Sequence, residues 1–354
     1  MFSPTGAAQP SASIPVHEVI AIVRVWVDQE ARHWPDFAGA YLWGGITAMP
    51  PDAPFSLYRD VDVVVVLTAG ASDDDQEVFY RGVALEVIPR NLDSHRDAAA
   101  TLANPSAGPN LATTTILADP TGILAPFQQA VAAEYGRHRW VQARCAAEQV
   151  LAEQALNAMG QAATPAERLD ATRDLLGALS GLLAVAQLKR PTTRRTLALL
   201  HELLHEQGRA DLHAAALAVM GSAALDVAAV EGLLDQTITS FDRAAAVRRT
   251  PTPYGFAIQP HLRPYYLEGT REMIEQGLHR EAVFWISCLD TAYVVLENDA
   301  PASEKPAFAA KLQAMYATLG YTSAPAWPAR IAAAERLAGA IFQLAADLAV
   351  RHAD

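Results

Sequence analysis

The chain has 354 residues, more than one small core organises and enough for two domains. Lys plus Arg number 27 against 39 Asp plus Glu, a net charge of −12. A surface that acidic is a poor match for a nucleic-acid backbone, whose binding needs cations, and suits a cationic small molecule better.

No uncharged apolar run approaches the roughly 20 residues needed to span a bilayer, so no membrane association is expected. The opening MFSPTGAAQPSAS lacks the basic start and apolar run of a secretory signal, and the expected compartment is the cytosol. Cys145 and Cys288 lie in apolar, helix-like stretches and read as buried free thiols. With no CxxC motif and no evident Cys/His cluster, the pattern argues against zinc.

In chain order, residues 1–12 read as a flexible arm rich in Ser, Pro, Ala and Gly. Ser13 is placed to cap a helix with Pro15 in its first turn. Val16, Val19, Ile20, Val23, Val27, Ala31 and Trp34 then fall on one helical face, and Pro35 ends it. Strand signals follow. Ala40–Leu42 leads into Gly44-Gly45, a Pro-rich loop comes next, and then DVDVVVVL from Asp60 to Leu67. The apolar run Val63–Leu67 suits a strand covered on both faces. SDDD at 72–75 is a solvated turn, and Val78–Pro89 is a further strand bent at Arg81-Gly82. Thr113–Leu117 is β-prone and stops at the turn Asp119-Pro120-Thr121-Gly122.

Beyond Gly122, Ala, Leu, Glu and Arg dominate. The pattern predicts helices over 124–158, 165–188, 192–207, 210–238, 266–297, 304–319 and 327–351. Thr164-Pro165-Ala166-Glu167 is a capping box with proline in the first helical position. The segment 248–264 is too rich in proline to be helical. In the helix after it, Glu268 and Arg271 are one turn apart and read as a surface ion pair.

Three features point to chemistry. Asp60 and Asp62 are two apart in a strand, so both carboxylates face the same side. Two carboxylates held together in an apolar strand repel one another and resist desolvation, and a hard divalent cation such as Mg2+ or Mn2+ relieves both costs. Gly44-Gly45 follows an apolar strand and would let backbone N–H groups approach a phosphate. Glu86, in GVALEVIP, stands alone among apolar neighbours and needs a partner.

In the order helix, strand, Gly-Gly, loop, Asp-x-Asp strand and a strand bearing a third acid, the chain resembles the nucleotidyltransferase superfamily. The likeness is greatest to its small-molecule branch of aminoglycoside and lincosamide nucleotidyltransferases. The residues that carry it are GGITAMPPDAPFSLYRDVDVVVVL (44–67), YRGVALEVIP (80–89) and ILADPTG (116–122).

The resemblance implies an α+β protein, with a small mixed-sheet nucleotidyltransferase domain over 1–122 followed by an all-α helical-bundle domain over 123–354. It implies a metal-dependent enzyme that moves an NMP, AMP from ATP or the equivalent from another NTP, to a hydroxyl of a small molecule such as an aminoglycoside-like antibiotic, the chemistry of antibiotic resistance. Asp60 and Asp62 would bind metal and triphosphate. Glu86 would complete the metal site or act as base, and Gly44 and Gly45 would hold phosphates. Two positions depart from the family pattern. Gly45 stands where the family has Ser, which leaves Thr47 to supply a hydroxyl. Arg59 stands where Ser often precedes the first aspartate, where a cation would contact phosphate or neutralise the pair. The resemblance also admits a homodimer, a relative that modifies protein or tRNA, and a non-catalytic nucleotide-binding regulatory protein.

Overall fold

The computed structural model describes residues 13–71 and 75–353. The arm expected over 1–12 and most of the SDDD turn lie outside them. The chain divides into two compact units, residues up to 99 with 110–133, and residues 100–109 with 134 onward.

In the first unit, β1 (Ser13–Pro15) pairs antiparallel with β3 (Pro54–Ser56), Ser13 opposite Ser56. Ser13 is therefore a strand residue and not a helix cap. Helix α1 (Val16–Gln29) starts directly after an extended Pro15, and no side chain caps it. Its first free N–H groups, on Val16 and His17, donate instead to the carbonyls of Ala53 and Pro51, so the loop before β3 does the work of a cap. The expected apolar face forms, with Val16, Val19, Val23 and Val27 buried.

Strands β2 (Phe37–Leu42), β4 (Asp60–Leu67), β5 (Gln76–Tyr80), β6 (Val83–Asn91) and β7 (Ile116–Ala118) form one mixed sheet in the order β5-β6-β4-β2-β7. β4 and β6 are parallel neighbours, and the other pairs are antiparallel. The run 78–89 expected as one bent strand is a hairpin. Arg81 and Gly82 both take positive φ (50° and 85°), the geometry of the two-residue turn that matches strand twist.

Alternation sorts the sheet into two faces. Val61, Val63, Val65, Leu85 and Val87 pack with α1 in one core. Asp60, Asp62, Val64 and Glu86 therefore project from the opposite face. Further along that face, Tyr41 of β2 hydrogen-bonds His95 (2.9 Å), whose ring packs edge-on against Phe127. β7 starts later than expected because Thr113 ends a short helix, and the Thr114 hydroxyl donates to the Leu42 carbonyl. Two short helices, α2 (Ala98–Ala103) and α3 (Ala107–Thr113), had no clear sequence signal.

Helix α4 (Leu124–Glu134) closes the first unit. The second consists of α5 (His138–Gln161), α6 (Pro165–Ala186), α7 (Thr196–Glu206), α8 (Ala210–Met220), α9 (Val227–Val247), α10 (Gly269–Glu275), α11 (His279–Cys288), α12 (Thr291–Asp299), α13 (Lys305–Thr318) and α14 (Trp327–Ala349). Together the units make an α+β protein, a mixed sheet followed by a helical region. The Thr164 capping box forms in full: the hydroxyl accepts from Glu167 N, and the Glu167 carboxylate accepts from Thr164 N. Several expected long helices are divided. Gly221 (φ 89°) ends α8, and Gly277 (φ 83°) separates α10 from α11. The left-handed residue that closes a helix lies inside an otherwise unbroken apolar periodicity. The Leu- and Ala-rich faces of these helices share one large core. No helix among the described residues is long and apolar enough to cross a membrane.

Candidate functional site

The parallel register of β4 and β6 sets Asp62 directly beside Glu86, and Asp60 beside Ala84. One carboxylate oxygen from each of Asp60, Asp62 and Glu86 lies within 4.8 Å of the others, and all three residues are half-buried. Oxygens bound to Mg2+ at about 2.0–2.1 Å are at most about 4.2 Å apart across the ion, so small side-chain shifts suffice to converge on one cation.

A fourth acid joins from the hairpin. Glu77 of β5 pairs with Glu86 in the ladder and so shares its face. Its only sequence signal was that a half-exposed edge strand brings it back beside Glu86, which could not be seen while 78–89 read as a single strand. Burial, reinforced by the charges of Asp60, Asp62 and Asp75, pushes the Glu77 carboxyl up to about 7. Burial likewise raises Glu86 to about 7, helped by Asp60, Glu77 and Asp75 and opposed by a hydrogen bond with Asp62. Neither Glu77 nor Glu86 has an ion pair among the described residues. The donor set is hard, anionic and converging, which fits Mg2+ or Mn2+.

The Gly-Gly turn abuts this cluster. Gly44 has φ 70°, and a Cβ there would sit inside the Asp62 carboxylate. Gly44 thus lets Asp62 lie against the turn, and its own N–H donates to Asn110 Oδ1 (2.9 Å). The Trp43 N–H donates to the Asp62 carbonyl, tying the turn to β4. Gly45 faces the Arg59 guanidinium, which a Cβ would strike. Arg59 also stacks over Phe55 and donates to Met49 sulfur. The Thr47 hydroxyl donates to the Gly44 carbonyl (3.1 Å) and lies 3.3 Å from the Thr113 hydroxyl. Of these residues Gly44 lies against Asp62, Gly45 against Arg59, and Thr47 against the Gly44 carbonyl. Asn110 and Thr113 were not anticipated, since they come from a short helix with no periodic signature.

Elsewhere, Cys145 and Cys288 are free, and burial pushes their thiols up to about 11 and about 12. Arg271 donates to Glu268 (2.6 Å), as the one-turn spacing suggested. Arg263 bridges Glu268 and Asp242, which anchors the Pro-rich segment. Lys189 pairs with Glu206, and Arg195 with Glu202.

One expectation is overturned. A histidine cluster does exist, with His201, His205 and His213 bringing ring nitrogens within 4.8 Å of one another. Two of the three imidazoles are spaced i, i+4 in His201-Glu202-Leu203-Leu204-His205, a pattern that involves no cysteine.

No family model matches the chain, and no curated protein does. Among solved structures it is similar to a nucleotidyltransferase-like protein from Exiguobacterium sibiricum, at 12% identity over 79% of this chain and 77% of that one, with a TM-score of 0.25. A superposition that loose carries no argument about function, which has to rest on the acid cluster and its surroundings.

Proposed function

We propose that the chain is a metal-dependent nucleotidyltransferase that moves an NMP, AMP from ATP in the simplest case, to a hydroxyl of a small molecule. The observation that carries this reading is the meeting of Asp60, Asp62 and Glu86 on neighbouring parallel strands against a glycine turn. Asp60 and Asp62 would hold Mg2+ or Mn2+, with Glu86 completing the set. When bound, the ion would neutralise charge on the α-phosphate and the departing pyrophosphate.

The chain's own groups would do the rest. The acceptor oxygen attacks the α-phosphorus in line, a new P–O bond forms, and the bond to the β-phosphate oxygen breaks to release pyrophosphate. The hydroxyl proton needs an acceptor within reach, and where Glu86 does not ligate the ion its carboxylate is the group on this face that could take it. Glu86 is our candidate for that base. Gly44 and Gly45 let Asp62 and the Arg59 guanidinium lie against the turn, and Arg59 would supply positive charge toward phosphate. The net charge of −12 favours a cationic acceptor, of which an aminoglycoside-like antibiotic is one class.

The test is pyrophosphate release from several NTPs, with Mg2+ or Mn2+, against a panel of antibiotics, sugars and proteins. Metal-dependent release with a hydroxyl-bearing small molecule is the expected result. Nucleotide binding with no release across the panel would support instead the regulatory reading. Two internal bonds favour that alternative: the Gly44 N–H engaged by Asn110 and the Thr47 hydroxyl engaged by Gly44.

A further inference from the structure

The helical unit carries a second cluster of metal-ligating side chains, chemically unlike the first. α7 presents His201 and His205 one turn apart on the same face. Gly208 (φ 68°) then reverses the chain, and α8 brings back His213. The rings of His201 and His205 stack with centroids 4.2 Å apart, and His213 stands edge-on to His201 at 4.4 Å.

Glu281 of α11 lies buried beside them. Its Oε1 is 2.9 Å from His213 Nε2 and 3.6 Å from His201 Nδ1. Neither nitrogen makes a well-formed hydrogen bond, although both are shut off from water. His213 is 8% exposed. Burying polar ring nitrogens in poor hydrogen-bond geometry is costly, and a fold that does so at His201 and His213, against one buried carboxylate and beside a third, exposed histidine, needs a reason. Packing alone would be met more cheaply by leucine, which fills the rest of α7's buried face at Leu197, Leu200, Leu203 and Leu204.

We infer that His201, His205 and His213 form a binding site for a zinc-class dication, with Glu281 as the buried carboxylate that orients the imidazoles. Imidazole favours Zn2+ and its neighbours over Mg2+. Two histidines at i, i+4 on one helix are a recurrent zinc-binding arrangement, and a carboxylate behind a metal-bound histidine is the usual outer partner. Donor atoms around zinc lie about 3.3 Å apart, given Zn–N of about 2.0–2.1 Å. The cluster, with ring nitrogens within 4.8 Å of one another, is wider than that, so side-chain adjustment would have to draw the rings together around an ion. Glu202, between the two α7 histidines, is exposed and paired with Arg195 at 3.1 Å. The inference is accordingly one of metal binding and carries no hydrolytic step.

The experiment is equilibrium dialysis of the metal-stripped full chain against Zn2+, with Co2+ as a second probe read by its visible absorption. It is run in the Asp60→Asn, Asp62→Asn background, so that the acid cluster contributes nothing. One Zn2+ per chain is expected, with a Co2+ spectrum of nitrogen ligation. His201→Ala and His205→Ala should each weaken it by more than about 100-fold, beyond the effect of outer-shell changes. His205 is exposed, so His205→Ala is expected to keep its fold by circular dichroism even if His201→Ala does not. No Zn2+ retained by the double-Asn chain, or equal retention in folded His205→Ala, would overturn the inference.

Discussion

The two units treat acidic side chains in opposite ways. In the helical unit several acids are matched to donors. Arg243 grips Glu304 with two bonds (2.8 and 2.9 Å), and Arg173 meets Asp290 at 3.1 Å. The Thr250 hydroxyl and the backbone of Thr250 and Arg249 hold the Asp299 carboxyl down to about 2. In the sheet unit, Glu77 and Glu86 are driven the other way, to about 7, with further acids among the causes. Glu148 of α5 is also raised to about 7, but by burial alone, where it lies against Gly181. A single desolvated acid is a packing cost; several acids raising one another on one sheet face share a repulsion that a cation would relieve. If this contrast is right, removing acids should stabilise the metal-free sheet unit and abolish its proposed chemistry, whereas removing a donor-matched acid such as Glu304 of the helical unit should do neither.

The largest effect is expected from Asp62→Asn. Loss of metal-borne charge stabilisation worth several kcal/mol lowers pyrophosphate release about a thousandfold or more, with the fold intact by circular dichroism. Full release by the folded variant would remove Asp62 from the site. Next comes Gly44→Ala, which places a methyl group in the Asp62 carboxylate and forces a left-handed residue. It should cost about 1–2 kcal/mol of stability from backbone strain alone, read by urea denaturation, and weaken Mn2+ binding as well. Gly45→Ala meets only the movable end of Arg59 and should do distinctly less. Equal effects at the two glycines would mean that Asp62 is not held against the turn.

A pH series tests the acids together. Because the folded carboxyls of Glu77 and Glu86 are raised from 4.5 to about 7, the metal-free protein binds more protons folded than unfolded. Its stability should therefore be fully present below about pH 4.5 and fall as pH climbs to about 7, by on the order of 2 kcal/mol. Mn2+ should restore it at pH 7.5 and do little at pH 5, since bound carboxylates must be ionised. Glu77→Gln should flatten this slope, and thermal melts with and without metal would show it. Smaller still is Asn110→Ala, which frees the Gly44 N–H and should cost about 1 kcal/mol. Smallest is Arg243→Ala, whose partly exposed pair with Glu304 should barely move the thermal midpoint and leave Mn2+ binding unchanged.

Much of the sheet could be read in advance because β4 states its own environment. Five apolar residues after two alternating aspartates fix both its burial and the face of its acids. Periodicity likewise revealed α1 and the helical region. What failed was local. Ser13 looked like a cap because the partner strand at 54–56 is 40 residues away. Arg81-Gly82 looked like a bend because nothing nearby marks a hairpin until both φ values are known to be positive. Helix breaks at Gly221 and Gly277 hid inside an uninterrupted apolar pattern. In the site, Asp60, Asp62 and Glu86 were legible as types and spacings. Glu77 and Asn110 reach it only through pairing and packing across the fold. Two of the three histidines were legible too, in the i, i+4 spacing of His201 and His205, whereas His213 joins them only through the turn between α7 and α8.

The most direct test of the central claim is a Mn2+ titration followed by electron paramagnetic resonance at pH 7.5, with ATP present, on the wild-type chain and on Asp62→Asn. The acid-cluster account predicts protein-bound Mn2+ in the wild type that is lost in the variant while His205→Ala retains it. Bound Mn2+ unchanged by Asp62→Asn, or none in the wild type, would contradict it.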